Sequence, residues 1–148
     1  MDNEMTLSFL AVSENEALAR MAMTSFMTVL DPTIEELSEV KTVISEAVTN
    51  AIIHGYEEDQ AGIVTVYATR IDREVTVTIS DKGCGIADVQ QAMEPLYTTK
   101  QQMDRSGMGF TIMESFTDQL SVKSERGKGT TVTFKKQFQP VSSPFATR

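Results

Sequence analysis

The sequence predicts an α+β fold: a two-layer α/β sandwich whose mixed, mainly antiparallel sheet carries helices on one face. Residues 63–71 and 74–80 are the clearest strands, the second alternating as Val75-Thr76-Val77-Thr78-Ile79-Ser80. Asp72-Arg73 between them suits a tight hairpin. One face of this pair is apolar and the other rich in threonine, the pattern of an antiparallel sheet covered on one side only. Upstream, two stretches repeat apolar residues at the helical period. With 148 residues and 41% hydrophobic content, the chain suffices for one well-packed domain and is too short for two ordinary ones. A single domain is expected over residues 1–138. Pro140, Pro144 and the Ser142-Ser143 pair mark 139–148 as a flexible tail.

In chain order, residues 5–11 alternate roughly and read as a short strand. Ser13-Glu14-Asn15-Glu16 has the capping-box pattern and opens a helix expected to run to Leu30, with Leu18, Met21, Met23, Phe26, Met27 and Leu30 on a broad apolar face. Asp31-Pro32 breaks it. Thr33-Ile34-Glu35-Glu36 is a second capping box, starting the longest helix, which Gly55 ends. In that helix Leu37, Val40, Ile44, Ala47, Val48 and Ala51 form a stripe facing a core, while Glu46 and Asn50 lie one turn apart and off the stripe. A solvated polar face is one explanation of that pair. Val43 and Ile53 flank it, however, and a half-apolar second face is what a helix lining a ligand cavity presents.

After Ile79 the alternation gives way to Asp81-Lys82-Gly83-Cys84-Gly85, and Gly107-Met108-Gly109 precedes an apolar helical run from Phe110 to Phe116. The intervening stretch of about twenty residues has no core signal, contains Pro95 and Thr98-Thr99-Lys100, and reads as a mobile lid. Residues 119–124 and 130–138 are two last strands joined through Gly127-Lys128-Gly129. The glycines permit positive φ and close main-chain approach, and Gly107-Met108-Gly109 opens a helix whose N–H groups suit a phosphate.

Charge narrows the partners. The net charge is −8, and residues 1–60 hold twelve acidic and two basic side chains against nine and eleven in residues 61–148. An acidic N-terminal half argues against direct nucleic-acid binding and favours a basic or mixed protein partner. Cys84 is the one cysteine, there is no signal-peptide pattern, and no apolar run is long enough to span a bilayer. A reducing cytoplasm and no membrane association are therefore expected.

Four ordered motifs resemble the GHKL (Bergerat-fold) ATPases, the nucleotide-binding fold of histidine kinases, Hsp90, DNA gyrase and the MutL proteins. Glu46-x-x-x-Asn50 resembles the N box, Asp81-x-Gly83-x-Gly85 the G1 box, Gly107-x-Gly109-Phe110 the G2 box and Gly127-Lys128-Gly129-Thr130 the last glycine element; no GxxxxGK[ST] loop occurs. The short chain and its Ser-Glu-Asn-Glu-Ala run resemble, within that family, the anti-sigma factor serine kinases. The resemblance implies ATP and Mg²⁺ as cofactors, a sporulation sigma factor as the partner silenced, an anti-anti-sigma protein as the serine phosphoacceptor, and a homodimer, for which the first helix and strand 5–11 offer apolar surface.

Carried onto this chain, the resemblance makes Asp81 the acceptor of the adenine amino group, Asn50 the Mg²⁺ ligand and Glu46 the base for the attacking serine hydroxyl. Lys100 and Arg105 become the cations stabilising the transferred phosphoryl group, Arg105 with a catalytic role. Thr98, Thr99, Ser106, Gly107, Met108 and Gly109 close around the phosphates, Gly83 and Gly85 border the nucleotide, and Thr130 contacts the base or a water beside it. Arg20, Glu16 and Asp104 are candidate docking residues. The sole histidine, His54, is expected to end or pack the helix, which argues against autophosphorylation on histidine. A nucleotide-dependent binding module without turnover and a detached histidine-kinase-like catalytic domain are the alternatives.

Overall fold

The computed structural model describes residues 2–57, 59–94 and 109–140. Most of the expected lid, from Pro95 to Met108, and the tail beyond Pro140 lie outside the described residues. Five strands, β1 (Asn3–Leu10), β2 (Ile63–Ile71), β3 (Glu74–Asp81), β4 (Gln119–Glu125) and β5 (Gly129–Gln137), form one sheet in the order β1-β2-β3-β5-β4. All four pairings are antiparallel, so the sheet, expected to be mixed, has no parallel member among the described residues. β2 and β3 fall where alternation predicts, and Asp72 takes the left-handed conformation (φ 52°) that lets the hairpin turn in two residues.

Alternation then sorts the side chains. Val64, Val66 and Ala68 of β2, Val75, Val77 and Ile79 of β3, and Val132 and Phe134 of β5 are buried on one face. There they join one core with residues of α1 (Glu14–Met27), α2 (Ile34–Asn50) and α4 (Gly109–Ser115). The opposite face is polar, with Thr78 and Thr133 hydroxyls 3.2 Å apart across the ladder. This is the one-sided cover predicted by the apolar and threonine faces.

The helices depart from expectation in three places. The box at Ser13 does not form: Ser13 is itself helical and makes no side-chain cap bond. Its intended partner, Glu16, instead meets Arg20 Nε at 2.9 Å and accepts from the Ser45 hydroxyl. α1 stops at Met27, and Thr28–Leu30 tightens into a 3₁₀ turn before Asp31, in the left-handed region, and Pro32. The apolar face of α1 is mostly spent within the protomer, because Met23, Phe26, Met27 and Leu30 are buried whereas Leu18 and Met21 remain exposed. Leu18 and Met21 are the residues through which this face can contribute to the expected dimer surface.

The box at Thr33 does form, with Glu36 N–H donating to Thr33 Oγ1 at 3.0 Å and Thr33 N–H to Glu36 Oε1 at 2.9 Å. The other Glu36 oxygen accepts Gln139 N–H at 2.8 Å, so Gln139, placed by sequence in the flexible tail, is anchored. Nearby, Arg73 donates to the carbonyls of Leu30 and Gln139, Arg70 donates to that of Phe26 at 2.6 Å and lies over its ring, and Lys136 reaches Glu39 and the Phe116 carbonyl. Three cations thus satisfy carbonyls that helix ends leave open and clasp the helices to one end of the sheet.

Burial pushes the Glu36 carboxyl up, but the N–H groups of Thr33 and Gln139, the Thr33 hydroxyl and the Lys136 charge outweigh it and hold the group below its ordinary 4.5. A depressed folded value means that the unfolded chain binds the proton more tightly, so this stabilisation is present above pH 4.5 and lost as pH falls through the folded value. Urea unfolding of Glu36→Gln should accordingly show a deficit of about 1–3 kcal/mol at pH 7 that shrinks under acid conditions. Thr33→Ala should cost about 1 kcal/mol.

Candidate functional site

At the opposite end of α2 the helix widens. Ala51–Gly55 form a π turn, a departure from the 3.6 period that collects at functional sites and that apolar spacing does not reveal. Behind it lies an open cavity of about 460 Å³ between α2, the loop after β3, α4 and the start of β5. Asn50, Asp81, Gly85, Gly109 and Thr130, five residues singled out by sequence, line it together.

Glycines make this junction possible, each for a different reason. A Cβ on Gly83 would stand 1.9 Å from the Gly55 carbonyl oxygen, and one on Gly55 would stand 2.8 Å from Asp81 Oδ1. Gly83 is therefore a packing residue that seats the loop on the π turn, and it does not border the cavity as expected. Gly85 (φ +74°) and Gly129 (φ +109°) are left-handed, and a side chain on either would meet main chain at 2.1 Å. Cys84 N–H donates to the Gly55 carbonyl at 2.7 Å, Gly127 N–H to the Cys84 carbonyl at 2.6 Å and Ile86 N–H to Ser124 Oγ at 2.6 Å. These N–H groups hold the loop itself together. The Tyr56 hydroxyl completes the seam, accepting Lys82 N–H and donating to the Ile63 carbonyl.

Asp81 ends β3 and is buried. Burial pushes its carboxyl up from the ordinary 3.8, while the N–H groups of Gly83 and Thr130 hold it down, and burial wins. Across the cavity a Cβ on Gly109 would lie 3.1 Å from Glu46 Oε2 and 3.4 Å from Asn50 Nδ2. Carboxylate and amide thus converge on one backbone position at the start of α4. Glu46 itself faces a groove between α1 and α2 that it shares with Arg20 and Ser45, just outside the cavity wall.

Thr98, Thr99, Lys100, Asp104, Arg105, Ser106, Gly107 and Met108 lie outside the described residues. Sequence reasoning also set His54 aside, yet it lines the cavity, and its carbonyl accepts the Cys84 thiol at 3.0 Å. It missed the far wall as well. Ile86, Asp88 and Gln91 contribute to that wall through the short helix α3 (Val89–Ala92) and the loop before it. The signal was Asp88 as N-cap, its carboxylate accepting Gln91 N–H at 3.0 Å. Gly83→Ala should destabilise the protein by more than Gly127→Ala in urea unfolding, because the former drives a methyl into main chain, whereas the latter has open space and only the left-handed strain of about 1–2 kcal/mol.

Comparison with known proteins agrees with this geometry. The family model for the histidine kinase-like ATPase domain matches residues 9–136. The anti-sigma F factor of Lysinibacillus sphaericus is 70% identical over 141 residues, covering 95% of this chain and 97% of that protein. The anti-sigma F factor of Clostridium beijerinckii is 55% identical over 141 residues, covering 95% and 99%. Among solved structures, the RsbU and RsbW domains of a Mycobacterium tuberculosis protein superpose with TM-score 0.67 at 18% identity, over 95% of this chain and 35% of that one. The catalytic domain of the histidine kinase ThkA gives 0.57 at 14%, over 90% and 96%. With Asn50, Asp81, Gly85, Gly109 and Thr130 around one cavity and a family match spanning the sheet and its helices, the chain belongs to the histidine kinase-like (GHKL) ATPases and, within them, to the anti-sigma F factors.

Proposed function

We propose that this protein binds and silences a sigma factor of the sigma F type and, using Mg²⁺-ATP, phosphorylates a serine of the anti-anti-sigma protein that would release it. The convergence of Glu46 and Asn50 on Gly109 carries this reading: a module that only binds nucleotide has no need of a carboxylate beside the metal-binding amide. Names of close relatives supply the sigma factor class.

Each residue has a task in that reaction. The Asp81 carboxylate accepts a hydrogen bond from the adenine amino group, and Thr130 borders the base. Asn50 fits Mg²⁺ as a single oxygen donor on the cavity wall. Mg²⁺ usually takes one or two protein oxygens together with substrate phosphates. When bound, the metal neutralises phosphate charge. Glu46 takes the proton of the incoming serine hydroxyl as its oxygen bonds to the terminal phosphorus, the bond from that phosphorus to the β–γ bridging oxygen breaks, and ADP leaves with the charge. Lys100 and Arg105 stabilise the transferred group, and Thr98, Thr99, Ser106 and the N–H groups of Gly107, Met108 and Gly109 enclose the phosphates.

Arg20, with its Glu16 partner on α1, belongs to the docking surface, as does Asp104, and the working form is a homodimer in the cytoplasm. No helix of the described residues is long and apolar enough to cross a membrane.

Incubation with labelled ATP, Mg²⁺ and the two partner proteins tests the reading. Acid-stable phosphoserine on the anti-anti-sigma protein is expected; phosphohistidine, or no transfer with sigma-factor binding intact, would refute the kinase. Glu46→Ala should lower transfer by about 10²–10⁴-fold with ATP affinity retained. Since burial raises the Asp81 carboxyl, ATP affinity should begin to fall at a pH above the ordinary 3.8 as the group protonates and stops accepting, a trend Asp81→Asn should lack.

A further inference from the structure

Ser124 of β4 lies behind the cavity wall, and three polar contacts converge on its hydroxyl. Ile86 N–H is 2.6 Å away, the Gly129 carbonyl oxygen 3.0 Å and Thr130 Oγ1 2.8 Å. A hydroxyl offers one proton and two lone pairs. The amide can only donate and the carbonyl can only accept, so the Ser124 proton goes to Gly129, and the third contact closes only if Thr130 donates. With its own proton committed to Ser124, the Thr130 oxygen is left as an acceptor.

Thr130 pairs with Asp81 across the β3–β5 ladder, and both line the cavity. Thr130 N–H is directed at the Asp81 carboxylate, which also takes Gly83 N–H. Neither residue then has a proton to give on this wall. We propose that Ser124 is a positioning residue that fixes Thr130 as an acceptor, so that this wall admits a purine edge carrying an amino group and rejects one carrying a carbonyl. The inference rests on the adenine-nucleotide reading above and adds to it the residue that sets hydrogen-bond direction.

The test is calorimetric binding of Mg²⁺-ATP and Mg²⁺-ITP to the full chain, ITP bearing a carbonyl where ATP has its amino group. The wild type should prefer ATP. In Ser124→Ala the Thr130 hydroxyl is free to rotate and donate, and the ATP:ITP preference should fall about tenfold. Ser124→Thr, which keeps the hydroxyl, should restore it. A loss of both affinities in equal proportion, with the ratio unchanged, would mean that Ser124 only supports the fold and would overturn the proposal. A measurement on the wild type guards against an unfolded variant: purine riboside triphosphate, with hydrogen in place of the amino group, should bind more weakly than ATP but better than ITP, and ITP binding equal to or better than it overturns the acceptor-only wall. If the wild type binds none of the three, the nucleotide reading fails, an outcome distinct from ATP binding with an unaltered ratio.

Discussion

The site depends on a contact between two stretches of main chain. Gly83 lies against the carbonyl of Gly55, and Gly55 against the Asp81 side chain, so the loop after β3 is pressed onto the π turn with no side chain between them. The polar features on the loop side of the cavity take their position from this seam. It sets the depth of Asp81, directs Cys84 N–H to the Gly55 carbonyl and brings the β4–β5 turn close enough for Gly127 to bond the same loop. Interiors transmit small volume changes because they are close-packed, and here the tolerance is less than one methyl group.

The molecule divides its polar residues between two ends of α2. At the N-terminal end Glu36, Arg70, Arg73 and Lys136 are consumed by internal partners and hold layers together. Toward the C-terminal end Asn50 and Asp81 face an open cavity. One helix therefore serves as a structural anchor and a chemical wall, and its apolar stripe, carrying Val40, Ile44, Ala47 and Val48 into the core, fixes the angle at which the polar pair is presented.

Much of this was legible because it rests on period and spacing. Alternation located β2 and β3, Thr33 and Glu36 announced the start of α2, and the order of the glycine motifs brought Asn50, Asp81, Gly85, Gly109 and Thr130 to one place. What escaped has physical causes. Ser13 looked like a cap, but Glu16 had a better use in Arg20 and Ser45, a tertiary choice that local pattern cannot register. The π turn conceals itself because adding one residue to a turn leaves composition untouched, and with it went the position of His54. Gly83 packs against the Gly55 main chain, a contact that a glycine in a motif does not announce. The Ser124 network joins residues that are remote in sequence, and serine in a strand carries no mark of it.

The bonds from Gln139 to Glu36 and from Lys136 to Glu39 span 103 and 97 residues, and β5, last in the chain, lies inside the sheet between β3 and β4. In order of synthesis α2 and the β2–β3 hairpin come before the strand that carries Thr130 and covers the flank of β3. Contacts so distant in sequence form late because loop closure precedes any gain from them. A chain not yet extended through β5 therefore lacks Val132 and Phe134 from its core and Thr130 and Val132 from its cavity wall.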